Sequence, residues 1–206
     1  MKARPTYKVC RRLGAGVYDK CQTQKYMLSE AKHSKSSHGH RRKNITDFGK
    51  QLVEKQRVRF AYGISERQLR KCVEEAHRVA VLGVDPKLRM IEQLEMRLDN
   101  VIYKLGFAPS RRAARQMVSH GHVLVNGVRT TIPSRTTFEG DVLTVRERTR
   151  ALPIMESIKK GVEEASIPTW MVFDLKKFEG TVTAKPTIEN TETPGAVEAI
   201  LEFYSR

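Results

Sequence analysis

Apolar positions along this chain change their spacing twice, and each change marks a new kind of structure. From Thr46 onward, Phe48, Leu52 and Val53 fall on one side of a helix, with Lys50, Lys55, Arg57 and Arg59 mostly elsewhere. Gly63 interrupts. Ser65 and Gln68 stand at capping-box spacing, each side chain able to bond the other's backbone N–H, and open a second helix. Leu69, Cys72, Val73, Ala76, Val79 and Ala80 recur along it at helical intervals, which places Cys72 in a core stripe as an inert buried thiol. Gly83 closes this helix, and Asp85-Pro86 supplies a cap and a first-turn proline for the next. Ile91, Leu94, Leu98, Val101, Ile102 and Leu105 carry the apolar face to Gly106, with a break expected near Met96. Ser110 caps a further helix through Ser119. It turns Ala114, Met117 and Val118 inward and Arg111, Arg112 and Arg115 outward.

The period then drops from 3.6 to 2. His122-Val123-Leu124-Val125 and Val128-Arg129-Thr130 flank Asn126-Gly127. Asn-Gly between two short β-prone runs predicts a hairpin, because both residues tolerate the positive φ such a turn requires. Glu139-Gly140-Asp141 turns into a third strand, Val142 to Val145. Beyond Arg150 the pattern weakens. Leu152 to Ala165 reads as a helix, Trp170 to Phe173 as a strand, and Val197 to Tyr204 as a strand or a helix, with loops at Pro168, Pro186 and Pro194.

The fold class expected is therefore α+β: a mainly helical first lobe, then a small lobe of paired helices and a β-hairpin. Residues 1–43 are expected to form an extended basic arm, disordered when free. Residues 44–96 form the helical domain, joined by the C-terminal segment 187–206, and residues 97–186 form the second lobe with a β-sheet extension.

Charge sharpens this picture. The 206 residues carry 38 Lys and Arg against 23 Asp and Glu, a net charge of +15. Residues 1–50 hold 13 basic and 3 acidic side chains, whereas residues 151–206 hold 6 and 9. A surface this positive repels itself unless a polyanion neutralises it, so nucleic acid is the expected partner. The run from Lys32 to Lys43, which includes Arg41, Arg42 and Lys43, cannot repay its ordering entropy through a core. It is either a solvated tail or an arm that orders against phosphates. No stretch approaches the roughly 18 consecutive apolar residues that span a bilayer, and the basic N-terminus lacks the apolar core of a secretory signal. Cys10, Cys21 and Cys72 are too few and too odd in number for a disulfide scaffold, which favours a reducing cytosol.

Residues 97 to 129 are the most specific unit. A helix presenting three arginines beside a hairpin suits RNA read by shape and backbone, because guanidinium forks fit phosphate oxygens and stack on bases. The spacing alone also allows an ordinary solvated basic helix. This unit, from Arg97-Leu98-Asp99-Asn100 through Ser110-Arg111-Arg112 to His120-Gly121-His122 and Asn126-Gly127, resembles the RNA-binding module named after small-subunit ribosomal protein four. The resemblance extends to Asp47-Phe48-Gly49-Lys50-Gln51-Leu52-Val53-Glu54-Lys55-Gln56, Tyr62-Gly63-Ile64-Ser65, Pro168-Thr169-Trp170, Phe178-Glu179-Gly180 and the ending Glu202-Phe203-Tyr204-Ser205-Arg206. His38-Gly39 stands where that family has a Gln-His-Gly turn. The chain thus resembles the bacterial form of the family along nearly its whole length.

That resemblance implies a structural constituent of the small ribosomal subunit, and not an enzyme. It would bind small-subunit ribosomal RNA at a multi-helix junction of the 5′ domain and nucleate assembly. It would neighbour small-subunit protein five, line the path by which messenger RNA (mRNA) enters, and influence translational accuracy. The location implied is cytoplasmic and ribosome-bound, without membrane or small-molecule substrate. Carried over by motif, Arg97, Asn100, Lys104, Ser110, Arg111, Arg112, Arg115, Gln116, Ser119, His120 and His122 face RNA from the module. Lys50, Lys55, Gln56 and Arg57 do so from the helical domain.

Some family members hold zinc through four N-terminal cysteines. Here Cys10 has no C-x-x-C partner, and Cys10, Cys21, His33, His38 and His40 match no usual zinc spacing, so no cofactor is expected. Asp99 is expected to pair with an arginine or a base, or to cap a helix, in preference to catalysis. Nothing in the sequence assembles a phosphate loop or a nucleophile elbow. The alternatives are a free-standing RNA chaperone or the docking part of an RNA-modifying enzyme.

Overall fold

A computed structural model of the chain describes residues 6–14, 17–18, 21–36, 46–150, 167–174, 177–191 and 193–205. The architecture is α+β. The helix expected over Leu152 to Ala165 lies outside the described residues, as do Arg41, Arg42 and Lys43. The sequence placed a boundary between Met96 and Arg97. By packing, the chain divides between Val73 and Glu74, giving one unit of Met1–Val73 with Thr193–Arg206 and another of Glu74–Glu192.

In the first unit, α1 (Thr6–Leu13) and α2 (Gln24–Ser36) occupy part of the stretch expected to be an unpacked arm. Their few apolar residues suffice because they close on one another. Cys10, Leu13, Val17, Cys21 and Tyr26 form a buried cluster with Phe60. Cys10 and Cys21 are joined by a disulfide, which corrects the expectation of three reduced thiols.

Helix α3 (Asp47–Ala61) starts at Thr46, whose hydroxyl accepts from the Gly49 N–H at 3.3 Å. Helix α4 (Glu66–Ala80) opens on the expected capping box: Ser65 N–H donates to Gln68 Oε1 at 3.0 Å, and Gln68 N–H to Ser65 Oγ at 3.2 Å. Cys72, however, is half-buried and not a core residue.

The C-terminal ambiguity resolves as a helix, α9 (Val197–Tyr204), packed on α3. Gln51 Nε2 donates to Glu202 Oε2 at 2.9 Å, Phe48 and Phe203 stack with ring centres 5.3 Å apart, and Glu54 Oε2 accepts from the Ala196 N–H at 3.0 Å. Glu66 Oε1 accepts from both Lys55 Nζ and the Tyr204 hydroxyl at 2.6 Å. Burial alone would raise the Glu66 pKa, but those two hydrogen bonds and the charges of Lys55 and Arg59 outweigh it and hold the carboxyl below its ordinary value. Burial, then the bond to Glu66 and its negative charge, push the Tyr204 phenol up.

A carboxyl held low binds protons less readily folded than unfolded. Its contribution is therefore present above the unfolded value, about 4.3, and is lost as pH falls through the folded one. Acidification below about pH 4 is expected to loosen α9, read as faster amide exchange at Ile200 and Leu201. Glu66→Gln should abolish that acid step. An identical acid profile in the variant would exclude Glu66 as its source.

The second unit contains α5 (Pro86–Glu95), α6 (Leu98–Lys104), α7 (Arg111–Ser119), α8 (Glu147–Arg150) and a five-stranded sheet. Its strands are β1 (Val123–Val125), β2 (Val128–Arg129), β3 (Val142–Val145), β4 (Met171–Asp174) and β5 (Glu179–Val182), all antiparallel in the order β2-β1-β3-β5-β4. Asn126 and Gly127 take φ of 52° and 77°, as the hairpin turn demands. Alternate residues Val123, Val125, Leu143, Val145 and Val182 enter one core with Leu98, Val101, Ile102, Leu105, Phe107, Val118 and Trp170. One sheet face is thereby covered by α6 and α7, and those helices are anchored on their apolar sides.

Candidate nucleic-acid interface

Helix α5 ends at Glu95, one residue before the expected break, and Met96 and Arg97 step out of helical geometry. The step has a local cause. Arg97 bridges to Thr136, and the Leu98 N–H donates to Arg135 O at 2.8 Å, so the connecting backbone is paired sideways. Four polar residues come out of this step pointing between α6 and α7. Glu95 is 0% exposed, Asp99 2%, Asn100 1% and Arg97 9%. Charges so buried must be paired.

They are. Arg97 donates to both oxygens of Asp99, Nε to Oδ1 at 3.1 Å and Nη2 to Oδ2 at 2.9 Å. From α7, Arg115 donates to Asp99 Oδ2 through Nε at 2.8 Å and Nη2 at 2.5 Å. Asn100 donates Nδ2 to Glu95 Oε2 at 2.9 Å, and its Oδ1 accepts from Arg111 Nε at 2.7 Å. Lys104 Nζ sits 2.6 Å from Glu95 Oε2. The Arg111 guanidinium also lies over the Tyr103 ring, 4.7 Å from its centre. Four cations from α7 and the α6 segment thus converge on two buried carboxylates and one amide.

This differs from the face expected of α7. Residues four apart on a helix lie nearly above one another, whereas neighbours are a hundred degrees apart. Arg111 and Arg115 accordingly turn together onto α6, while Arg112 is exposed, with no acidic partner among the described residues. Ser110 has a structural task, its Oγ accepting from the Ala113 N–H at 3.2 Å. Gln116 and Ser119 are exposed on the outer side, the Ser119 hydroxyl donating to Gln116 O.

The end of α7 adds His120, exposed, and His122, half-buried with Nδ1 2.9 Å from Thr149 Oγ1. Gly121 lies between them at φ 73°. A Cβ there would fall 2.2 Å from Arg129 Nε, so only glycine lets the β2 arginine lie against this corner, where its Nη2 donates to His120 O at 3.4 Å. Sequence reading did not single out Arg129, which lies at this corner, or Glu95, which lies in the seam. Arg129 was legible in principle, being two residues past the Asn-Gly turn on the same hairpin.

The residues expected on α3 do not share one open face. Lys50 is exposed and pairs with Asp47. Lys55 is buried, held by Glu66 and lying 4.3 Å from the centre of the Phe203 ring. Arg57 is half-buried, its Nε donating to Leu13 O at 2.7 Å and its Nη1 to Glu54 at 2.8 Å, with Gln56 half-buried beside it.

Two family models match this chain: the S4 domain over residues 96–143, which contains α6, α7 and the hairpin, and the ribosomal protein S4/S9 N-terminal domain over residues 2–108. A protein of Thermoanaerobacter sp. (strain X514) named small ribosomal subunit protein uS4 is 41% identical over 98% of this chain and 97% of its own length. The uS4 of Thermotoga maritima is 40% identical over the same shares, and the uS4A of Clostridium novyi 39%. The chain belongs to the ribosomal protein S4 family.

Cys10 and Cys21 are bonded to each other, and no group of three or more His, Cys, Asp or Glu among the described residues is placed to hold a metal. In this S4-family chain no helix of the described residues is long and apolar enough to cross a membrane.

Proposed function

We propose that this chain is a structural, non-enzymatic protein of the small ribosomal subunit that binds small-subunit ribosomal RNA directly. The carrying observation is likeness to uS4 proteins over 98% of the chain; a protein that had only borrowed the module would match over the module alone. Physically, α7 and the hairpin form a rigid cationic corner on a chain of net charge +15, suited to phosphate and ribose more than to base edges.

The finer reading is binding at a multi-helix junction of the 5′ domain, early enough to nucleate assembly. Small-subunit protein five would be a neighbour, mRNA would enter past the protein, and decoding accuracy would depend on it, all in the cytoplasm. The motif resemblance supports these assignments. Within them, Arg112, Gln116, Ser119 and His120 meet RNA from the exposed side of α7, with Arg111, Arg115, Arg97, Asn100, Lys104 and His122 behind them. Lys50 and the basic run Arg41, Arg42 and Lys43 add phosphate contacts, and Lys55, Gln56 and Arg57 hold the helical unit that presents them. The chain works without a bound metal, its Cys10–Cys21 pair joining α1 to the residues just before α2.

The test is co-sedimentation with small subunits through a high-salt wash, with chemical footprinting of the ribosomal RNA. Retention with protection confined to one 5′-domain junction is expected. Recovery of the protein only in the free pool would instead favour the chaperone reading.

A further inference from the structure

We propose that Asp99 and Glu95 are positioning residues of the RNA interface: buried carboxylates that fix the cations of α6 and α7 in the arrangement RNA meets. The inference rests on the RNA-binding reading given above.

Stability does not explain these carboxylates. A buried ion pair is on average no more stabilising than an apolar pair of similar volume. The surrounding core of Leu98, Val101, Ile102, Leu105 and Trp170 could accommodate one. What a carboxylate supplies, and a methyl group does not, is direction. Asp99 Oδ2 is shared by Arg97 from the segment before α6 and Arg115 from α7, so one atom sets the separation of two guanidinium groups. Glu95 does the same through an intermediate: its carboxylate takes Lys104 directly and orients Asn100, whose carbonyl then holds Arg111. The Arg111 and Arg115 side chains, one turn apart, are thereby ordered before any ligand arrives.

The held groups are not sealed away. The Arg115 side chain remains 34% exposed and Arg111 is half-buried, so both reach the surface next to Arg112. Four cations against two acids leave the cluster net positive. An arginine already fixed in its bound rotamer loses less freedom when it meets a phosphate.

Simple charge counting and positioning predict opposite signs, which makes the idea testable. Asp99→Asn removes a negative charge beside the interface. If the carboxylate merely neutralised its neighbours, RNA binding would tighten and its salt dependence would steepen. Positioning predicts that full-length Asp99→Asn binds a 5′-domain junction transcript about tenfold more weakly, with the log–log salt slope reduced by about one. This is measured well below the thermal midpoint, so that the loss is not unfolding. Equal or tighter binding by the folded variant would overturn the proposal.

Because Asp99→Asn can compromise folding, Arg115→Lys gives a second route. It keeps the charge but not the planar fork that donates twice to Oδ2. Several-fold weaker binding, measured well below the variant's thermal midpoint, is expected, and wild-type affinity would overturn the proposal. Arg115→Ala separates the two levels. If it and Arg112→Ala both bind RNA as well as the wild type, α7 is not part of the interface and the functional reading fails there, together with this inference. If it weakens binding while Asp99→Asn does not, only the inference fails.

Discussion

Alanine at Arg111, Arg112 and Arg115 together is expected to weaken binding to a 5′-domain junction transcript by on the order of 10²–10³-fold. The log–log salt slope should flatten by about two to three units. The slope follows from counterion release, roughly 0.7–0.9 of a unit for each phosphate neutralised. The affinity follows from losing up to three charge-assisted hydrogen bonds at about 1.5 kcal/mol each. The structure divides the three contributions unequally. Arg112 is exposed and without an acidic partner among the described residues, so Arg112→Ala alone should cost about one unit of slope and leave the unfolding midpoint unchanged. Arg115→Ala also withdraws two donors from buried Asp99, and Arg111→Ala withdraws one from Asn100. Those variants should lose stability as well as affinity. A triple variant with the wild-type salt slope would remove α7 from the phosphate contacts.

That unequal division shows where sequence reading succeeds and where it stops. Elements encoded by neighbouring residues were legible. The Asn126-Gly127 turn needs only two residues that accept positive φ, the Ser65–Gln68 box only a spacing of three, and the Asp85-Pro86 start only a cap and a fixed φ. The core side of α7, Ala114, Met117 and Val118, followed from helical spacing, and all three are buried.

Its polar side did not follow, because the partner that decides where Arg115 points is Asp99, sixteen residues away on another helix. Spacing alone cannot separate an arginine that faces water from one that faces a buried acid. Strand β5 was missed for a similar reason. Its Gly180 weakens the β signal, yet a side chain there is precluded by Leu105, whose Cδ1 would lie 2.5 Å from an added Cβ. The first helices were missed because their core is shared. Cys10, Leu13, Val17, Cys21 and Tyr26 are sparse along the sequence and close only on each other and on Phe60, dozens of residues downstream. Val197 to Tyr204 could be read as strand or helix because eight mixed residues do not settle a period. Packing on α3, through Glu202 on Gln51 and Phe203 on Phe48, settles it as helix.

Glu95→Ala should be the most destabilising single change in the seam, at about 3–5 kcal/mol, because it strips one partner from a buried pair and leaves the other. Lys104 is only 14% exposed at its side chain, and its ammonium would keep the nearby Trp170 ring, 5.9 Å from its centre, but lose its carboxylate. Asn100 would retain the Glu95 backbone carbonyl at 3.1 Å and lose the side-chain acceptor that orients it toward Arg111. Against a total stability of about 5–15 kcal/mol for a typical domain, such a loss is a fifth or more. The urea midpoint should fall accordingly, with the slope of the transition preserved.

Glu95→Gln keeps a carbonyl oxygen for Asn100 and removes only the charge, so its cost should be smaller, about 1–3 kcal/mol. Replacing the pair outright, Glu95→Met with Lys104→Met, removes both charges and leaves no orphan, and should restore most of the stability lost in Glu95→Ala. RNA binding should not return with it, because Asn100 keeps only the backbone carbonyl of residue 95 and no longer orients Arg111, and the Lys104 charge is gone. A cost below about 1 kcal/mol for Glu95→Ala would mean that water reaches Lys104 and that the seam is a solvated surface, not a buried scaffold for its cations.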